Sequence, residues 1–192
     1  GINPDSLTLD QRGTGYARVV DVTIDIGAVE DTYGAGFSPL TVLNTNDSGI
    51  GSLRQAIIDA TTGDTILFEG TPFPEPTTGT ITLTSGEMLI NKALTISGGG
   101  NVTIDAGGTS RIFNIDDSIG SQVNVSLSGL IIKNGSSTAA EGGAIRNLEN
   151  LAISDSTVAD NTAGTTGGGI FNGTYSTCSL TSVLITNNTA GT

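Results

Sequence analysis

Short runs of alternating apolar and polar residues recur along the chain from residue 102 to 192. Val102-Thr-Ile104, Val123-Asn-Val125-Ser-Leu127, Leu151-Ala-Ile153 and Cys178-Ser-Leu180 each put apolar side chains on one face and polar ones on the other, the period of a strand with one buried face. Second strands follow at Leu130-Ile-Ile132, at Val158 and at Val183-Leu184-Ile185. A third element comes after a glycine-rich turn, Gly142-Gly-Ala-Ile145-Arg-Asn147 and then Gly167-Gly-Gly-Ile170-Phe-Asn172, 25 residues apart. Residues 151–165 and 178–192 end in the same Asn-Thr-Ala-Gly-Thr at an offset of 27 residues, with like-for-like pairs Ile153/Leu180, Ser154/Thr181, Val158/Ile185 and Asp160/Asn187 before it. A period in this range marks units that cannot bury an apolar face alone and stack on their neighbours. Three strands and three turns per period predict a triangular coil. The expected fold is all-β, a right-handed parallel β-helix with rungs about 4.8 Å apart.

The first part of the chain continues the pattern less regularly. Thr65-Ile-Leu-Phe68, Thr80-Ile-Thr-Leu83, Met88-Leu-Ile90 and Leu94-Thr-Ile96 read as short strands. Pro72, Pro74 and Pro76 lie between Gly70 and Gly79. Proline has no donor for a central ladder, so this stretch predicts an outward loop. One helical segment stands out at residues 52–60. Ser52 is the expected N-cap, with Gln55 completing a capping box. Leu53, Ala56, Ile57 and Ala60 fall on one face. An amphipathic helix just before the first coil suits the open apolar end of a solenoid, which needs a cap.

Composition agrees with many small strands. Of 192 residues, 28 are glycine, only 4% are aromatic, and histidine and tryptophan are absent. The net charge of −12 repels a phosphate backbone and argues against nucleic-acid binding. Solubility explains the acidity. Ca2+ is the one cofactor the acidity leaves open, and otherwise no cofactor is expected. Cys178 is the single cysteine and sits where the preceding repeat has Leu151, so a buried apolar role is expected and a disulfide within the chain is not. No apolar run reaches the length of a membrane span, and no signal-peptide pattern opens the segment.

Asn147 and Asn172 close the glycine-rich segments, and Asn161 and Asn188 end second strands. Asparagine tolerates the left-handed backbone of a tight corner, and stacked copies can share amide hydrogen bonds. These four are expected at coil corners. Asn46, Asn101, Asn124, Asn134, Asn172 and Asn187 also sit in Asn-x-Ser/Thr sequons, a second reading ranked below the corner role.

The stretch from Asn44-Thr-Asn-Asp-Ser-Gly-Ile-Gly-Ser-Leu-Arg-Gln-Ala56 to Gly63-Asp-Thr-Ile66 resembles the head of secreted bacterial right-handed parallel β-helix proteins. These are the pectate-lyase-like superfamily, within it the choice-of-anchor Q surface proteins. The Gly-Gly-Ala-Ile and Gly-Gly-Gly-Ile turns are similar to repeats of chlamydial polymorphic outer membrane proteins. The resemblance implies an extracellular or bacterial cell-surface location. It also makes the N-terminus anomalous. Asn3-Pro-Asp-Ser-Leu-Thr-Leu-Asp-Gln-Arg-Gly13 and Val22-Thr-Ile-Asp-Ile-Gly-Ala-Val-Glu30 resemble segments that close such a helix after its last coil. On this reading residues 1–30 are closing strands of a preceding or neighbouring unit, with Asp10, Arg12, Gly13, Ile24 and Ile26 as the inter-unit positions. Residues 31–40 link, 41–64 hold the head strand and capping helix, and 65–192 form coils left open at the C-terminal end. Two explanations stand: a segment of a covalent tandem array, or a subunit whose tail completes its neighbour head-to-tail into a fibre.

Many parallel β-helix proteins cleave polysaccharides, which takes clustered carboxylates and a base. Here the coils from 94 carry three basic residues, Arg111, Lys133 and Arg146, and scattered acids, with Asp116-Asp117 the one adjacent pair. Asp155 and Asp160 give way to Ser182 and Asn187 one repeat on, so no ladder of metal sites is expected. Arg12 and Arg54 are expected to orient the terminal motifs. The sequence therefore predicts a structural or adhesive solenoid that self-associates or contacts surface polysaccharide, with a carbohydrate-active enzyme as the alternative.

Overall fold

A computed structural model describes residues 19–20, 23–24, 40–74 and 77–191. The chain divides into two units, residues 1–38 and 39–192. In the first, β1 (Val19–Val20) and β2 (Thr23–Ile24) pair antiparallel. Of the proposed closing-segment positions, Ile24 lies on β2, while Asp10, Arg12, Gly13 and Ile26 lie outside the described residues.

The second unit is a parallel β-solenoid of about five turns. It opens with β3 (Thr41–Val42) and helix α1 (Leu53–Asp59). Coil 1 contains β4 (Asp64–Phe68), β5 (Thr78–Thr82) and β6 (Met88–Ile90). Coil 2 contains β7 (Leu94–Asp105) and β8 (Phe113–Ile115). Coil 3 contains β9 (Asn124–Lys133), β10 (Ser136–Ser137) and β11 (Ile145–Asn147). Coil 4 contains β12 (Asn150–Ser154), β13 (Thr157–Ala159), β14 (Thr162–Ala163) and β15 (Ile170–Asn172). Coil 5 contains β16 (Thr177–Thr181), β17 (Leu184–Thr186) and β18 (Thr189–Ala190).

Every ladder in this unit is parallel, and the registers are those of the repeat. Leu151 pairs with Cys178, Val158 with Ile185 and Ala163 with Ala190, all 27 residues apart. Ile145 pairs with Ile170 at 25. The two extra residues lie in the turn before β16, where residues 173–176 replace the two-residue step at 148–149. Inward columns form the core: Ile66, Ile96, Leu127, Ile153 and Leu180 on the first face, and Ile81, Ile104, Ile132, Val158 and Ile185 on the second. Columns of apolar side chains stacked at rung spacing bury both neighbours at once, which is how a narrow coil acquires a core.

Three sequence expectations change. Val102–Ile104 belongs to the second face, paired with Leu130–Ile132, and Leu94–Ile96 is the first-face strand of coil 2. The two faces run as one strand in β7 and β9 because a glycine corner joins them at Gly98–Gly100 and at Gly129, where φ is 64°. The later coils also have a fourth short ladder, β10–β14–β18, inside what reads in sequence as a turn. Its two-residue strands are too short to show any alternation.

Candidate functional site

The cap is built as its sequence predicts, with one difference. Ser52 Oγ accepts from Gln55 N at 3.1 Å, and Leu53, Ala56 and Ile57 are buried against the core. The return half of the capping box is absent. Ser52 N donates to Gly49 O at 3.1 Å, and the Gln55 amide turns to Asp59 Oδ1 at 2.8 Å. Coil 1 locks both ends of the helix. Arg54 donates to Gly86 O (2.6 Å), Glu87 O (2.8 Å) and Asp47 Oδ1 (2.8 Å). Lys92 Nζ reaches the last turn, donating to Ile57 O (3.1 Å), Ile58 O (3.2 Å) and Ala60 O (2.7 Å). A cation there satisfies carbonyls that the helix leaves without partners. Partial burial works against the charge on Asp47. Hydrogen bonds from Ser85, Arg54 and Thr84, with the Arg54 charge, outweigh it and hold the carboxyl well below its usual range.

The four asparagines stack in two pairs. Asn147 Nδ2 donates to Asn172 Oδ1 at 2.7 Å, and Asn161 Nδ2 to Asn188 Oδ1 at 2.8 Å. Asn147 and Asn161 are fully buried, and their amides bind main-chain groups of adjacent coils. The left-handed backbone expected at Asn161 and Asn188 falls one residue earlier, at Asp160 (φ 56°) and Asn187 (φ 53°), in line with Asn134 (φ 54°). At Asn161 and Asn188 the preceding residue makes the turn, which leaves the amide facing inward, whereas neither Asn147 nor Asn172 takes the left-handed conformation expected of it. Along that outer corner Asn134 Nδ2 donates to both oxygens of Asp105 at 3.0 Å, and Asn187 Nδ2 to Asp160 Oδ1 at 3.1 Å. The corner lines a shallow depression of about 540 Å³ with Thr82, Gly107, Ser136 and Thr162.

Asp116 and Asp117, the adjacent acidic pair, follow β8. With Glu149 they form a cluster in which one carboxylate oxygen from each residue lies within 4.8 Å of the others, a spacing able to hold a divalent cation. Glu149 is 2% exposed. It accepts from Asp117 N (2.9 Å) and Val123 N (3.0 Å), closing both ends of the loop between β8 and β9. Asp117 caps the loop interior through Ser121 Oγ and the main-chain N–H groups of Ile119 and Gly120, which keeps its carboxyl below the usual range. Asp116 pairs with Arg146 at 3.3 Å. A lone acid in a two-residue step carries no periodic signal, so Glu149 is not legible in the sequence.

Arg111 is the other residue that pattern reading passes over. It crosses three coils, reaching Glu87 Oε2 (2.5 Å), Gly142 O (2.9 Å) and Glu141 O (2.8 Å). Cys178 is half-buried and free, and burial pushes its thiol up. No helix among the described residues is long and apolar enough to cross a membrane.

No protein-family model, curated protein or solved structure matches this chain.

Proposed function

We propose that this chain is a unit of an extracellular structural or adhesive β-solenoid, extended by further coils stacked on coil 5. The observation that carries the reading is the state of the core columns at coil 5. Ile66, Ile96 and Leu127 are 0% exposed and Ile153 1%, yet Leu180 in the same column is 45% exposed. On the second face Ile81, Ile104, Ile132 and Val158 are 0% exposed, and Ile185 is 47%. The strands carrying them offer parallel ladder edges in the register of every earlier rung. An apolar column end beside open ladder edges is suited to strand addition. The added coil belongs either to a tandem continuation or to another subunit, and residues 1–30 of the adjacent unit are the segment we assign to it. A neutral wall of Thr95, Ser126, Asn124, Asn150, Thr177 and Ser179 beside a depression of about 350 Å³ supports contact with surface polysaccharide along such a rod.

Deletion of residues 1–30, followed by negative-stain imaging and light scattering, tests the assembly. Fibres or oligomers of the full chain that are lost on deletion support it, and assembly that survives the deletion removes those residues from the role. The alternative, a carbohydrate-active enzyme, is favoured by the Asp116, Asp117 and Glu149 cluster. Turnover of acidic polysaccharides by a monomer, abolished by Asp117→Asn, would replace the structural reading.

A further inference from the structure

The chain contains two Asn-Gly dipeptides, Asn134-Gly135 and Asn172-Gly173. Glycine after asparagine leaves the main-chain nitrogen unhindered, and in a mobile chain that nitrogen attacks the side-chain amide. Its proton goes to solvent base, the N–Cγ bond forms, and the Cγ–Nδ2 bond breaks as ammonia leaves. Water then opens the resulting succinimide to aspartate or isoaspartate. The reaction needs an accessible glycine N–H and an amide free to rotate.

At Asn134-Gly135 both requirements are blocked, each by a different coil. Gly135 N donates to Asn161 Oδ1 of coil 4 at 2.7 Å, with both residues buried. The Asn134 amide nitrogen is held by both oxygens of Asp105 in coil 2, at 3.0 Å each. The flanking carbonyls are also tied, Asn134 O by Gly108 N at 2.7 Å and Gly135 O by Thr162 N at 2.8 Å. A side-chain atom placed on Gly135 would collide with Gly143 O, so this corner is packed directly against the next coil. We infer that Asn134-Gly135 is a latent succinimide-forming modification site, held closed by Asn161 of coil 4 and Asp105 of coil 2. Conversion to isoaspartate would add a main-chain carbon at a corner where Thr162 N and Gly108 N fix the register. The site therefore records, irreversibly, openings in which both the coil 4 contact of Gly135 and the coil 2 contact of Asn134 are released. This inference does not depend on the proposed function.

Asn172-Gly173 is the internal control. Gly173 N donates to the main-chain oxygen of Asn147 at 2.8 Å, a lock that does not involve Asn161. The experiment incubates the full chain at mildly alkaline pH and follows amide loss at both asparagines by peptide mass spectrometry. The arms are folded wild type, wild type in concentrated urea, and Asn161→Ala. In folded wild type, conversion at Asn134 is confined to the locally open fraction and should be at least about a hundredfold slower than in urea. Asn161→Ala should speed Asn134 by about tenfold or more over folded wild type while Asn172 stays slow, with the Asp105 contact keeping Asn134 below the urea rate. If Asn161→Ala unfolds the chain, both sites accelerate together, and the two wild-type arms decide. Folded wild-type conversion at the urea rate overturns the inference. So does a folded Asn161→Ala chain that leaves Asn134 slow.

Discussion

The second-face column offers a direct measure of what covers coil 5. Ile132 and Ile185 have the same side chain in the same column, one 0% and the other 47% exposed. Removing three carbons from a fully buried isoleucine typically costs about 2–5 kcal/mol, from lost transfer energy and the cavity left behind. At Ile185 roughly half of the area term is absent, and surrounding water fills the gap without a cavity cost. Ile185→Ala should therefore cost about 1–2 kcal/mol in the isolated unit. The assay is equilibrium urea unfolding of Ile132→Ala and Ile185→Ala, at two protein concentrations well below and well above the onset of light scattering. At the low concentration Ile132→Ala should be the costlier by a factor of about two or more. At the high concentration the two costs should converge as an added coil covers Ile185. Mass action ties apparent stability to concentration whenever the folded form binds a partner. Equal costs at every concentration would refute the reasoning, because Ile185 would then be covered within the monomer. Unequal costs that never converge would remove coil stacking on this face.

Other outcomes follow from close approaches and charges. Gly143→Ala should destabilise by about 3 kcal/mol or more, because a Cβ there would lie 2.7 Å from the Thr162 main chain and collide with Gly168 O. Gly120→Ala, with φ of 74° but nothing within 4 Å, should cost only about 1 kcal/mol in the same urea titration. Asp47, Asp105 and Asp117 have folded pKa values below their usual range. Their contribution is complete above the unfolded value of about 4 and lost as pH falls through the folded values. The urea midpoint should hold down to about pH 5 and then fall, less steeply in Asp47→Asn; an unchanged slope in that variant would dissociate Asp47 from the acid response. With a net charge of −12, raising salt to about 0.3 M should raise the midpoint by screening self-repulsion, and a falling midpoint would mean that the ion pairs outweigh it.

The fold was legible where the physics is periodic. Alternation with a 27-residue echo predicts the ladders Leu151–Cys178 and Val158–Ile185 in their observed register, because a slip of one residue would turn every apolar side chain outward. The helix was legible from Ser52 and its apolar face. Glu149, Arg111 and Lys92 were not. Each makes its contacts with a coil or cap more than twenty residues away, at a point with no equivalent in the next repeat. The corner was read one residue late for a related reason. Asp160 and Asn187 differ in type, while Asn161 and Asn188 match. Identity tracks the buried amide, which has one geometry that works, whereas the exposed turn accepts several residues.

The unmatched contacts have a common direction. Each cation among the described residues bridges neighbours along the solenoid. Arg54 and Lys92 join the helix to coil 1, and Arg111 joins coils 1, 2 and 3. Lys133 meets Asp105 at 3.4 Å and Arg146 meets Asp116 at 3.3 Å, each linking coil 3 to coil 2. A coil in a narrow stack shares most of its area with two neighbours, so its stability rests on those two interfaces. In a chain this acidic, like charges on neighbouring rungs push them apart. Cations placed across the rungs oppose that push locally. They are concentrated in coils 1 to 3, where the repeat is least regular and the coils carry the largest insertions. From coil 3 onward amide pairs join the rungs instead, Asn147–Asn172 between coils 3 and 4 and Asn161–Asn188 between coils 4 and 5. An amide both donates and accepts, so an identical residue in the next coil can extend the column. An arginine cannot stack on its own copy without repulsion. The change from ionic bridges to amide columns along the axis is therefore a change from closing a fixed end to a surface that can be repeated.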